Sequence, residues 1–197
     1  MRAVLLGALT IVVAGCAGAT PAAVAPASTP AAAAAATPAP ATATSVTQPA
    51  ADPVAQALPA FSCSPVSGGA STRAGITAVR VGSNPGFDRF VIQFDGPVPG
   101  YAVAPQATSS FVADASGQSV HLAGAAGVAI RLSPSSGQGT YSGPNAFTPA
   151  YAALREARQV GDFEAVVHWG LGTAGPTCIR AFTLTSPARL VVDVSHT

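Results

Sequence analysis

Residues 163–169 read Phe-Glu-Ala-Val-Val-His-Trp, and an apolar side chain occupies every odd-numbered position of this segment. Glu164 and His168 occupy even-numbered positions. Successive side chains of a β-strand point to opposite faces, so a strand here would bury its odd-numbered side and leave the other side polar. The period of two therefore predicts a half-buried strand at residues 163–169.

Short segments of the same character recur along the chain, separated by clusters of glycine, proline, asparagine and serine. Many short strands with turn signals at a spacing of about ten residues are typical of an antiparallel sandwich or barrel. We therefore expect an all-β domain of about eight short strands. The other predicted strands are Ile76–Val81, Phe90–Phe94, Tyr101–Ala104, Val120–Leu122, Val128–Leu132, Cys178–Leu184 and Leu190–Val194.

The segment Thr148–Val160 admits two interpretations. In the first, Thr148 caps a short helix that Gly161 ends. In the second, Ala153–Val160 is a strand that a turn at Gly161-Asp162 joins to residues 163–169. We prefer the hairpin, and helical periodicity is nearly absent from the rest of the domain.

The N-terminus has the pattern of an exported protein. Arg2 supplies a positive charge, the run from Ala3 to Val13 is apolar, and Ala14-Gly15 precedes a cysteine. This run is shorter than the roughly 17–25 residues that span a bilayer, so we expect a cleavable signal peptide at residues 1–15. The segment resembles the lipobox of bacterial lipoproteins. That resemblance implies acylation of Cys16 and attachment by lipid to the extracytoplasmic face of the cell membrane.

The chain changes composition sharply after the predicted signal peptide. Residues 17–60 are mostly alanine, proline, threonine and serine. Such a segment has few large side chains and cannot bury enough apolar area to offset the entropy of ordering. We expect a disordered tether at residues 16–60 and one folded domain at residues 61–197.

The charged residues of the chain bear on its possible partners. The nine basic residues are all arginine and face eight acidic residues. Since the arginines form no cluster, the sequence gives no electrostatic reason to expect nucleic acid as a partner.

With Cys16 assigned to lipid, Cys63 and Cys178 remain, and a pair of cysteines in an exported protein predicts a disulfide. The alternative, a reactive thiol or a metal pair, lacks a CxxC motif and a nearby histidine.

The sequence contains no GxSxG nucleophile elbow, no HExxH zinc motif and no Walker phosphate-binding loop. The histidines His121, His168 and His196 would have to converge with acids such as Glu164 to form a zinc site or a triad, and histidines on the surface of a sheet are commoner. The loop at Gly137-Gln138-Gly139 could hold an anion through backbone N–H groups, although a flexible connection is the simpler interpretation. We expect no catalytic residue, metal or cofactor.

Four segments stand out within about residues 73–196, namely Ile76–Arg80, Gly86–Phe94, Gly161–Glu164 and Pro187–Val194. Together they resemble the AMIN-like domain of lipoproteins from high-GC Gram-positive bacteria. The resemblance implies a β-sandwich without catalytic activity that binds or localises to the cell envelope, in relatives to peptidoglycan. This chain carries Ala165 where the resemblance implies a small, turn-forming glycine.

Charged residues open and close the segments that carry this resemblance. The alternation in Leu190–Val194 places Leu190 toward the core and Asp193 on the opposite face. If the first and last of the four segments lie side by side, Arg89 or Arg80 can pair with Asp193. Such an ion pair either orders a strand end or belongs to a polar face that grips glycan or peptide. The candidate binding face consists of Arg80, Asp88, Arg89, Arg189 and Asp193.

We therefore expect a lipid-anchored, non-catalytic binding module of the cell envelope. The resemblance to the AMIN-like domain alone implies peptidoglycan or another wall glycan as its partner. A second hypothesis is an adaptor that pairs with an envelope protein through an exposed sheet edge. The third and least favoured hypothesis is a hydrolase whose motif the sequence does not reveal.

Overall fold

The computed structural model describes residues 57–114 and 116–196. The predicted signal peptide, the predicted lipidation site Cys16 and all but the end of the predicted tether lie outside the described residues. Within them, all helical or strand structure is β-strand. This confirms the predicted all-β class.

A six-stranded sheet and a five-stranded sheet form the body of the domain. Neighbouring strands run antiparallel, apart from the parallel pair of β2 and β8. The first sheet contains, in spatial order, β1 (Val66–Gly68), β4 (Tyr101–Gln106), β7 (Ala126–Leu132), β11 (Val166–Thr173), β10 (Leu154–Phe163) and β9 (Ala146–Phe147). The second contains β12 (Ile179–Thr185), β13 (Ala188–Ser195), β3 (Phe87–Phe94), β2 (Ala74–Asn84) and β8 (Ser135–Ser136).

The two sheets pack face to face around an apolar core. The first sheet contributes Val128, Ile130 and Trp169, and the second contributes Phe90 and Ile92. All five side chains are buried, and the ring centroids of Phe90 and Trp169 lie 5.3 Å apart. Burial of each such side chain contributes roughly 1.5–3 kcal/mol to folding. The packing of two sheets on one core confirms the predicted sandwich.

Strands β10 and β11 pair as an antiparallel hairpin, as preferred above, and Thr148–Val160 contains no helix. The predicted position of the turn is wrong. Gly161 and Asp162 belong to β10, and the chain turns instead at Glu164 and Ala165.

The single strand predicted at residues 163–169 is therefore also wrong, because Phe163 ends β10 and Val166 begins β11. Glu164 and Ala165 have φ values of 50° and 61°. Two successive residues with positive φ are what a two-residue hairpin turn of type I′ requires. Glycine adopts this conformation without steric cost, which explains why a glycine is expected at position 165.

A further hairpin, β5 (Ser110–Val112) with β6 (Ser119–His121), covers the outer face of the first sheet. The Phe111 ring packs against the backbone of Gly127 and Gly170, where an added Cβ atom would lie 2.9 Å from the ring. Within the described part of the chain, no further strand covers the outer face of the second sheet.

The N-terminal segment of the domain, before β1, is linked to the edge strand β12. Cys63 and Cys178 form a disulfide, which confirms the predicted bridge. Beside it, Ser62 and Ile179 exchange two backbone hydrogen bonds of 2.7 and 2.8 Å. Ser62 therefore lies at the β12 edge of the second sheet.

Candidate binding face

Cross-strand register aligns three charged residues on the outer face of the second sheet. Asp193 of β13 lies opposite Arg180 of β12 on one side and opposite Arg89 of β3 on the other. We call Arg180, Asp193 and Arg89 the arginine row. The ion pair predicted between Arg89 and Asp193 is thus present in the structure.

Both guanidinium groups of the arginine row bond to the one carboxylate. Arg89 donates from Nε to Oδ1 of Asp193 at 2.6 Å and from Nη2 to Oδ2 at 2.9 Å. Arg180 donates from Nε and Nη2 to Oδ2 at 2.9 and 2.6 Å. The hydrogen bond to Asp193 is the main cause that raises the pKa of Arg89, so this charge is permanent.

Burial differs strongly within the row. The Asp193 side chain is 0% exposed, whereas the side chains of Arg89 and Arg180 are 31% and 12% exposed. The two cations therefore shield a fully buried anion from solvent, and the row keeps a net charge of one positive unit. Since a buried carboxylate is costly without partners, Asp193 depends on both arginines.

Three phenylalanine rings frame the arginine row. The guanidinium carbon of Arg89 lies 5.1 Å from the ring centroid of Phe87 and 5.6 Å from that of Phe182. The guanidinium carbon of Arg180 lies 4.6 Å from the centroid of Phe61 and 4.9 Å from that of Phe87. Cation–π contacts of this kind hold the two guanidinium groups in place.

Arg80 and Arg189 lie on the same face, further along the sheet. Arg80 is opposite Val91 of β3, and Arg189 is opposite Gln93. Arg80 is exposed and donates to the side-chain oxygen of Gln93 at 3.3 Å, whereas half-buried Arg189 donates to the carbonyl of Pro187. In the described residues neither arginine pairs with a carboxylate.

Asp88 is the predicted site residue that the structure places elsewhere. It shares the inward face of β3 with Phe90 and is 0% exposed, because adjacent residues of a strand point to opposite faces. Its carboxylate accepts hydrogen bonds from the backbone N–H groups of Ala153 at 2.7 Å and Leu154 at 2.9 Å. Asp88 therefore connects the second sheet to the start of β10 in the first.

Two side chains complete the environment of Asp88, namely Ser83 at 2.8 Å and His196 at 3.1 Å. Burial opposes ionisation, but the hydrogen bonds from Leu154, His196, Ser83 and Ala153 outweigh it and lower the pKa of Asp88 below its usual range. The carboxylate is thus ionised and has a structural role, and it is not accessible to a ligand on the outer face.

Sequence reasoning missed Arg180 and the phenylalanine rings. A signal for Arg180 and Phe182 was available, since the alternation within Cys178–Leu184 puts both on the side opposite buried Ile179. Phe61 precedes the first strand and carries no such signal. Its position follows from the bridge between Ser62 and Ile179.

The loop at Gly137-Gln138-Gly139 does hold an anion, and this anion belongs to the protein. The Asp162 carboxylate accepts hydrogen bonds from the backbone N–H of Gly137 at 2.7 Å and from the Ser136 hydroxyl at 2.9 Å. The position that the sequence left open for an external anion is therefore occupied by Asp162, and the loop is bonded to β10 rather than being the flexible connection that we preferred.

The histidines have separate partners. His121 bonds to the Ser110 hydroxyl at 2.8 Å, and His168 bonds to the Asp114 carboxylate at 2.8 Å. Within residues 57–114 and 116–196, no histidine joins a hydroxyl to a carboxylate, and no cluster of three or more metal-ligating side chains could hold a metal ion.

Comparison with known proteins gives a match to a domain family. The family model described as AMIN-like domain matches residues 74–196, more than half of the chain. This range runs from the first residue of β2 to the residue after β13 and includes every residue of the arginine row. No curated protein and no solved structure matches. Among the residues that the structure describes, no helix is long and apolar enough to cross a membrane.

Proposed function

The chain belongs to the AMIN-like domain family, and on that premise we propose that it is a non-catalytic binding module of the cell envelope. Its ligand is peptidoglycan or another wall polymer that carries carboxylate groups. Domains of this type are associated with the envelope and with peptidoglycan. The binding surface is the outer face of the second sheet, which we call the arginine face.

The observation that carries this proposal is the charge of that face. Within the described strands of the second sheet, this face carries Arg80, Arg89, Arg180 and Arg189 and one carboxylate, that of Asp193. Because an arginine fork binds carboxylates with two parallel hydrogen bonds, the surplus guanidinium groups suit an anionic polymer.

The five side chains divide into two roles. Arg89 and Arg180 are occupied by Asp193 and form a rigid, aromatic-framed base. Arg80 and Arg189 have no carboxylate partner among the described residues and are the groups that contact the ligand.

Replacing both Arg80 and Arg189 by alanine is expected to weaken sedimentation with insoluble peptidoglycan by about tenfold or more, because each lost charge-assisted hydrogen bond counts about 1.5–3 kcal/mol. The full chain is assayed in mild detergent at low salt, where charges are least screened. Its melting temperature should change little, since neither residue contacts a buried partner.

The matched control replaces Arg131 and Arg155, two exposed arginines of the first sheet, by alanine. It removes the same charge and should sediment like the wild type. Equal weakening of both double variants would reduce the effect to net charge and contradict the proposed face. If the wild type itself does not sediment, the adaptor hypothesis replaces wall binding.

We further propose that Cys16 carries the lipid that holds the protein at the membrane. The support is the sequence before Cys16, which lies outside the described residues. Changing Cys16 to serine should shift the full chain from the detergent phase to the aqueous phase, or block its processing, because acylation needs the thiol. Equal partitioning of the two proteins would contradict lipid attachment.

A further inference from the structure

An open concave surface, built from residues outside the arginine face, lies between the end of β10 and the segment that joins β8 to β9. Its volume is about 380 Å³. Small-molecule sites usually measure about 300–1,000 Å³, so this volume suits a short ligand. We call it the amide cleft, because three of its side chains are amides. Its lining residues include Gln138, Tyr141, Asn145, Gln159 and Asp162.

Internal hydrogen bonds hold the walls of the amide cleft in one arrangement. The Asp162 carboxylate accepts hydrogen bonds from the Gly137 N–H and the Ser136 hydroxyl. The backbone carbonyl of Asp162 accepts a hydrogen bond from the Gln138 side-chain N–H at 3.0 Å. The Tyr141 hydroxyl donates to the carbonyl of Pro144 at 2.7 Å. A cleft that is formed before binding loses little entropy when a ligand enters.

The amides that line this cleft keep free hydrogen-bonding groups. The exposed Asn145 side chain makes no hydrogen bond to the described residues, and Gln138 and Gln159 use only their N–H groups. Each free amide carbonyl accepts two hydrogen bonds, and the Asn145 amide also offers two donors. The cleft thus presents acceptors and donors side by side, as a ligand with hydroxyl and amide groups requires.

The chemistry of the cleft is uncharged except at one point. Of the described residues that line it, only Asp162 carries a charge, which is negative and repels anions. The half-buried Tyr141 ring adds an apolar surface, and burial raises the pKa of its hydroxyl so that it stays neutral. The ring lies so close to Gly143 that a Cβ atom there would be 2.6 Å from it.

We propose that the amide cleft binds one uncharged, N-acetylated sugar ring of a wall glycan. The ring's apolar face stacks on Tyr141, and its hydroxyl and acetamido groups bond to Gln138, Asn145 and Gln159. This proposal rests on the envelope function proposed above for its choice of ligand, but its residues are not those of the arginine face.

The test titrates the full chain, in mild detergent, with triacetylchitotriose while amide chemical shifts are recorded. The shifts should map to the cleft, and Asn145→Ala should weaken binding about three- to tenfold, the effect of losing one or two neutral hydrogen bonds. Gln118→Ala removes an exposed amide near β6 and should bind like the wild type. Cellotriose, which lacks the acetamido groups, should bind more weakly than triacetylchitotriose.

Three results would contradict the proposal that the amide cleft binds a sugar ring. These are no shift change at millimolar triacetylchitotriose, shifts confined to the outer face of the second sheet, and Asn145→Ala binding equal to that of the wild type. Because sedimentation with peptidoglycan depends on Arg80 and Arg189, the two proposals fail separately. Sedimentation without triacetylchitotriose binding rejects the cleft alone, and triacetylchitotriose binding without an effect of the arginine variants rejects the arginine face alone.

Discussion

Changing Asp88 to alanine is expected to lower the free energy of unfolding by about 3–5 kcal/mol, because the change strips two buried N–H groups of their acceptor and leaves a cavity. The groups are the backbone N–H of Ala153 and of Leu154, which lie in the first sheet while Asp88 lies in the second. Urea unfolding of wild type and variant measures the difference. The exposed Asp95, next to the other end of β3, accepts one N–H from Gly75, and Asp95→Ala should cost under about 1 kcal/mol.

Asp88 should also make the free energy of unfolding depend on pH. The pKa of Asp88 is lowered by folding, so its contribution is complete above the unfolded pKa of about 3.9 and is lost as pH falls through the folded value. Asp88→Asn keeps an acceptor but cannot titrate. The stability gap between wild type and Asp88→Asn should therefore shrink on going from neutral pH to below about pH 4. A gap that stays constant would show that Asp88 does not titrate with folding.

The β-sandwich could be predicted because its longer strands bury one face. In β3 the alternating burial of Phe90 and Ile92 against Arg89 and Val91 is the pattern that the sequence shows. Strands β8 and β9 have only two residues each, too few for a period to appear. They form because their neighbours supply partners, which is information held in the tertiary structure.

The turn at Glu164-Ala165 escaped prediction for a physical reason. Neither residue is the asparagine or glycine that usually marks a two-residue turn, so the local signal is missing. Apolar side chains continue on both sides of the turn, where Phe163 pairs with Val166, so the alternation continues unbroken along the sequence. Tertiary packing holds both residues in a conformation that their side chains do not favour.

The candidate face could be predicted only in part. The pairing of Arg89 with Asp193 follows from the alternation in two strands and from their adjacency. Asp88 next to Arg89 in sequence cannot share its face in a strand, and its parity with Phe90 marks it as an inward residue. The contact of Arg180 with Asp193 could not be predicted, because the sequence does not show that β12 pairs with β13.

The arginine row supports the last prediction, which concerns its carboxylate. Asp193→Ala is expected to destabilise the domain by about 3–5 kcal/mol, because Arg89 and Arg180 would then face each other, partly buried, without their shared anion. Thermal and urea unfolding of the variant measure the loss. Arg189→Ala, on the same strand and face, removes a charge without a buried partner and should cost under about 1 kcal/mol.

A double-mutant cycle then separates the row from its neighbours. Arg89→Ala should cost about 2–4 kcal/mol in the wild type, because it leaves buried Asp193 with one partner, and should cost little in the Asp193→Ala background. Additive effects of the two changes would contradict a coupled row. Since Asp193 is 0% exposed and cannot reach a ligand, its loss should weaken sedimentation with peptidoglycan only by displacing the arginines around it. Replacing all three row residues by apolar ones should therefore recover stability, whereas binding should recover only to the extent that Arg80 and Arg189 carry it.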